Sequence, residues 1–273
     1  MNETKNAVVV GKAVIEVRGI PIAYYSRYAG STLPEKTVLV LHGALGNAET
    51  TSDMCNELAL LRPDVCVYQM DNPGHGASGG DPLETISSLS DIVCGFVEAM
   101  QDSAIFTEEL YVFGHSMGGT VAAKAVIDGM KVTKLGLLQS AASWPSMIPF
   151  CEMPGDQLVA AFQQMMINEF EAINSQERTR DLIARIPDMS VSAAACIADI
   201  KALQSYDLTD MLPKLNVPTL IVHSGSDMTA TVESSKCLLA GIVGSLSYYL
   251  ELGTHTSVIG EYKKIAKSIA NYI

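Results

Sequence analysis

The chain has 273 residues, a formal net charge of −12, and 48% hydrophobic against 18% charged residues. That length suits one α/β domain with an insertion, and the excess of apolar over charged residues excludes a disordered chain. No Lys/Arg cluster breaks the acidic background, which argues against a nucleic-acid partner. No apolar run reaches the roughly eighteen residues of a membrane span.

Residues 1–6 (Met-Asn-Glu-Thr-Lys-Asn) are polar, and the Val8-Val9-Val10 run that follows is too short for a signal-peptide core. Residues 7–17 and 20–28 are β-branched and aromatic, split by Arg18-Gly19, and read as an antiparallel hairpin at one edge of a sheet. Residues 37–41 form a continuous apolar run, the mark of a strand buried on both faces. The run ends in His42-Gly43-Ala44-Leu45-Gly46, and a helical pattern starts near residue 48. Residues 65–68 are the next strand and lead into Asp71-Asn72-Pro73-Gly74-His75-Gly76-Ala77-Ser78. Helical periodicity covers residues 83–100; strands at 110–113 and 134–139 enclose a helix that runs to about 129. This alternation predicts a doubly wound, mostly parallel sheet.

The alternation breaks over residues 143–206. Helical patterns there are split by Pro145, Pro149, Pro154 and Pro187, and the segment carries Met147, Met153, Met165, Met166, Met189 and the only tryptophan, Trp144. Strands at 216–223 and 246–250 and helices at 232–240 and 258–273 complete the chain, giving eight strands in all. Cys55, Cys66, Cys94, Cys151, Cys196 and Cys237 are dispersed without a Cys-x-x-Cys pair. Buried reduced thiols in a cytoplasmic protein is the economical reading.

The richest stretch is Gly114-His115-Ser116-Met117-Gly118, set between a strand and a helix with no loop on either side. Such a turn strains the residue at its apex, and the flanking glycines remove side chains that would collide. It presents the serine hydroxyl above the sheet beside a helix N-terminus. Here the chain resembles the α/β-hydrolase family, whose mark is this nucleophile elbow. The stretches at 42–45, 71–78, 223–227 and 252–256 extend the resemblance in order and spacing from the third strand to the C-terminus.

The resemblance implies an eight-stranded α/β-hydrolase sheet, with core segments 1–142 and 207–273 and residues 143–206 as a helical cap. In that family the order along the chain is nucleophile, acid, histidine. It therefore implies Ser116 as nucleophile, Asp227 as acid and His255, after the last strand, as base. His223 is the rival imidazole and reads as a structural residue bonding its loop; Ser224 stands where the family usually has Gly. Backbone N–H groups of Met117 and, by the family's His-Gly-x position, Ala44 would form the oxyanion hole, worth on the order of 3 kcal/mol each. The 71–78 stretch reads as structural, because Pro and paired Gly specify loop shape.

Leu45, His115, Trp144, Met147 and Met228 are the candidate substrate-binding residues. A metal site is not expected, since no His-x-x-x-His spacing exists, and the elbow lacks the Lys of a phosphate loop. No cofactor is expected. A serine apex sets the chain apart from family members with an aspartate nucleophile. The expected reaction is hydrolysis of a small or medium uncharged ester through an acyl-enzyme, by a monomer or homodimer. A carbon–carbon bond hydrolase, a thioesterase, an acyltransferase or perhydrolase, and a low-turnover small-molecule receptor are the alternatives.

Overall fold

The continuous apolar runs fold into the middle of one sheet. The computed structural model describes residues 7–273, so the polar residues 1–6 lie outside the described residues. β1 (Val9–Val17), β2 (Ile20–Tyr28), β3 (Lys36–Leu41), β4 (Val65–Met70), β5 (Leu110–His115), β6 (Lys134–Leu138), β7 (Thr219–Ser224) and β8 (Leu246–Leu250) form an eight-stranded sheet. Its order is β1-β2-β4-β3-β5-β6-β7-β8. β2 runs antiparallel to both β1 and β4, and every other pair is parallel. Every residue of β4 and β5 is buried, as strands covered on both faces require. The edge strands β1 and β8 instead leave Val9, Val14, Leu246 and Tyr249 exposed.

α1 (Ser52–Leu61), α2 (Ile86–Asp102), α3 (Met117–Ile127), α7 (Val232–Gly241), α8 (Ser257–Gly260) and α9 (Tyr262–Tyr272) flank the sheet, and two apolar clusters fill the layers. One cluster takes Phe96 and Val97 of α2 and Val121 of α3; the other takes Met54 and Leu58 of α1 and Ile265 and Ile269 of α9. The helix expected from residue 83 starts at Ile86, because the Thr85 hydroxyl caps the Ser88 N–H. The strand expected to reach residue 139 stops at Leu138, where Gln139 turns to φ +42°. The terminal helix expected as one piece is two, α8 and α9, interrupted at Glu261. Of the six thiols expected to be buried, Cys55, Cys66 and Cys196 are; Cys94 and Cys237 are half-buried and Cys151 is exposed.

Residues 143–206 carry a 3₁₀ turn (Pro145–Phe150) and α4 (Gly155–Ile173), α5 (Gln176–Met189) and α6 (Ala193–Gln204). Ion pairs tie α5 to the first helix: Arg178 and Arg185 both reach Asp53, at 2.7 and 2.6 Å, and Arg185 also reaches Glu49. Burial opposes the Asp53 charge, but the two guanidinium groups outweigh it and hold the carboxyl below its usual value of 3.8. Lys201 pairs with Glu84, so these cations fasten the inserted helices rather than face a ligand. No described helix is long and apolar enough to cross a membrane.

Parallel crossovers bring the C-terminal ends of β3, β5, β7 and β8 to one edge of the sheet, the usual ligand edge of open α/β sheets. The loops that leave this edge hold residues 42–46, 116, 225–231 and 251–256.

Phe96 is fully buried and packs edge-on against Tyr24 and Phe106, at 5.8 and 5.9 Å between ring centres. Phe96→Ala should destabilise the protein by about 3–5 kcal/mol, read as a lower urea midpoint with an unchanged slope.

Candidate active site

Ser116 sits between the last residue of β5 and the first of α3 with φ +53° and ψ −124°, a left-handed conformation that a side chain rarely adopts. The turn closes only because its neighbours lack side chains. A Cβ on Gly114 would overlap the Gly118 carbonyl, and one on Gly118 would lie 2.5 Å from the His42 oxygen. The Ser116 N–H donates to the Leu138 carbonyl at 2.9 Å, and the Ser140 hydroxyl donates to the Ser116 carbonyl at 2.8 Å. The last residue of β6 and the loop after it thus grip the strained residue.

The Ser116 hydroxyl lies 2.9 Å from His255 Nε2. His255 Nδ1 lies 2.9 and 3.1 Å from the two carboxylate oxygens of Asp227. A carboxylate only accepts, so Nδ1 carries the proton and Nε2 of the neutral ring is free to accept from the serine. Asp227 is held in turn, its Oδ1 accepting from the Thr229 and Ala230 N–H groups at 2.8 Å each. Burial opposes charge on His255, but Asp227 outweighs it and Glu169 adds to the effect, so its pKa is raised above 6.5. All three side chains are at least 94% buried.

Two backbone N–H groups near Ser116 bear on the expected oxyanion hole. Met117 opens α3, so its N–H has no acceptor within the helix and carries the positive end of the helix dipole. The Ala44 N–H has no acceptor among the described residues, and Ala44 lines the cavity beside Ser116.

That cavity has a volume of about 140 Å³. Apart from His115 and His255, no titratable side chain lines it, and its walls are mostly apolar. Leu45, His115, Trp144 and Met147 are among the lining residues, joined by Leu158, Phe162 and Met165 of α4. Met228 is not: it is 80% exposed. The turn in which Asp227 caps residues 229 and 230 directs the intervening side chain to solvent. The methionines of the insertion divide between two jobs. Met147 and Met165 line the cavity, whereas Met166 and Met189 are fully buried in the second core cluster.

The other histidines have distinct partners. His115 donates from Nε2 to the His255 carbonyl at 3.0 Å, and burial, helped by the charge of His255, pushes its pKa down to about 3. It stays neutral. His223 does not bond its own loop as expected; its Nε2 meets the Ser247 hydroxyl on β8 at 2.8 Å. The 71–78 stretch also does more than shape a loop, because His75 reaches the buried carboxylate of Asp199 on α6 at 3.1 Å. Sequence reasoning missed Asp199, His75 and Glu169, which accepts from the Thr256 N–H at 2.7 Å. A signal existed for Asp199: it is a lone acid in the apolar run Ala193-Ala-Ala-Cys-Ile-Ala-Asp-Ile. No group of three or more His, Cys, Asp or Glu among the described residues is placed to hold a metal ion.

The eight-stranded sheet, its strand order and the elbow at the end of β5 define an α/β-hydrolase fold. The chain belongs to the hydrolase family described as serine aminopeptidase, S33, whose match spans residues 32–251. A pimeloyl-acyl-carrier-protein methyl ester esterase of Aeromonas hydrophila is 26% identical over 225 residues, which cover 76% of this chain and 84% of the relative. Monoacylglycerol lipase ABHD6 of Rattus norvegicus is 23% identical over 261 residues, covering 87% of this chain and 75% of the relative. An esterase of Exiguobacterium antarcticum has the same fold, with a TM-score of 0.78 at 19% identity over 96% of this chain and 99% of its own.

The raised His255 pKa has a direct check. Its ring resonances, followed by NMR, should titrate above 6.5, and Asp227→Asn should move the titration downward by removing the main stabiliser of the imidazolium. An unchanged midpoint in that variant would assign the shift to something other than Asp227.

Proposed function

We propose that the protein is a serine esterase that cleaves a small uncharged carboxylic ester through an acyl-enzyme on Ser116. The observation that carries this reading is the relay from Asp227 through His255 to Ser116, with both links at 2.9 Å, opening on a cavity without fixed charge. His255 takes the serine proton as the hydroxyl attacks the carbonyl carbon, and Asp227 stabilises the imidazolium that forms. The imidazolium then gives the proton to the departing alcohol. Water, deprotonated by His255 in its turn, attacks the acyl carbon and releases the acid. The Ala44 and Met117 N–H groups donate to the oxygen that bears the negative charge of the tetrahedral intermediate.

Cavity size argues for a short acyl group. At about 140 Å³ it resembles the apolar cavity of roughly 150 Å³ that holds benzene, so an acyl chain of about six non-hydrogen atoms fills it. The inserted helices act as a cap, since α4 supplies one wall of that space. The absence of any Asp or Glu on the lining disfavours an α-ammonium group, and so an aminopeptidase substrate, despite the family's description. A methyl ester and a monoacylglycerol, the substrates in the names of two relatives, are both uncharged at the scissile ester.

The test is turnover of a p-nitrophenyl ester series. Acetate to hexanoate should be cleaved over many cycles and decanoate poorly, with kcat/KM rising through the titration of His255 because only the neutral ring accepts a proton. Ser116→Ala should lower kcat by about 10⁶-fold. Trp144→Ala removes a wall of the cavity and should shift the preference toward longer chains. A single burst with no further cycles would instead indicate a small-molecule receptor that keeps the relay.

A further inference from the structure

Two titratable side chains outside the relay meet behind the loop that follows β3. Asp199 of α6 has no exposed surface. Its Oδ2 accepts from the Leu45 N–H at 2.6 Å and lies 3.1 Å from His75 Nε2, while Oδ1 has no partner among the described residues. His75 Nδ1 lies 2.9 Å from the Pro73 carbonyl oxygen, which can only accept, so that nitrogen carries a proton. A further proton must then lie between Asp199 and His75, whichever atom holds it. Without it, two lone pairs would face each other at 3.1 Å. Burying a carboxylate opposes folding unless it is paired, and apolar packing in α6 has no use for one.

Leu45 itself is strained, with φ +64°. Strain of this kind persists where the surroundings fix it, and the short bond to Asp199 is the fixing contact. The effect reaches one residue upstream. With the Leu45 N–H turned back toward α6, the peptide joining it to Ala44 has a set orientation, and Ala44, whose N–H has no acceptor among the described residues, lines the cavity.

We infer that Asp199, paired with His75, is a positioning residue: from the inserted helices it sets the Leu45 peptide and thereby aims the Ala44 N–H at the oxyanion. The inference rests on the serine-ester reading. It also explains the partner. A bare carboxylate next to an oxyanion site would oppose the charge that develops there, and the His75 proton cancels its field.

Burial opposes the His75 charge, but Asp199 outweighs it and Asp71 adds, so its pKa lies above 6.5. The other groups facing the pair are uncharged. Burial holds His42 below its usual value, helped by the charge of His75, and burial pushes the Cys196 thiol up to about 12. The clamp is therefore complete below the His75 pKa and is lost as pH rises through it. Esterase activity should show an alkaline limb beside the acid limb of His255.

Steady-state kinetics of the full-length protein on p-nitrophenyl acetate across pH test this. Asp199→Ala should lower kcat by about a hundredfold, the loss that follows removal of one oxyanion donor, with KM little changed. Asp199→Asn is isosteric: with its oxygen in the place of Oδ2 it still takes the Leu45 N–H, and it leaves no carboxylate to be bared when His75 loses its proton. It should recover most of kcat and lose the alkaline limb, and it carries the test if the alanine variant fails to fold. An alkaline limb that persists in Asp199→Asn, or a wild-type kcat in folded Asp199→Ala, would overturn the inference and leave the esterase reading standing. A wild-type protein that never turns over would remove both.

Discussion

One residue separates the end of β5 from the start of α3, and the rest of the site is arranged around that economy of chain. A reversal this tight needs a left-handed apex at Ser116 and bare backbone on both sides of it, because the helix approaches the ends of β3 and β5 at contact distance. In return, the serine is placed by the backbone of the turn, with no loop residue on either side of it. The N–H groups at the start of α3 share its position and its rigidity. The imidazole, the carboxylate and the opposing loop are then brought to a point that the sheet has already fixed.

Five histidines gather at the same sheet edge, and each is given a different condition by its partners. His42 donates from Nδ1 to the Gly43 carbonyl and accepts from the Asn72 N–H, which fixes it as neutral. His75 has an acceptor at both nitrogens. His115 is neutral and hidden, and His223 is spent on the neighbouring strand. His255 alone has an acceptor on one side and a hydroxyl on the other. Residue type therefore says little at this edge. The oxygen facing each nitrogen says nearly everything.

The sheet and the elbow were legible in the sequence because their signals are local. A fully buried parallel strand reads as a continuous apolar run, and the elbow is a strand, a turn and a helix within a few residues. The proposed acid and base come from chain order in a resembled family. Asp199 could not be read that way. Its partners stand 154 and 124 residues distant, and a carboxylate in an apolar helix records burial without naming what neutralises it. Met228 shows the opposite failure. Next to Asp227 in the chain, it is turned outward by the very hydrogen bonds that hold that carboxylate in place.

The chain has a single tryptophan, and it is buried with its indole edge-on to His255, 6.5 Å between ring centres, while its N–H donates to Thr120. Protonated imidazole quenches indole emission and neutral imidazole does so far less. The protein thus carries a built-in optical probe in the wall of the cavity beside Ser116. Its intrinsic fluorescence should therefore follow the charge of that ring and the filling of the adjoining space, free of background from any second indole.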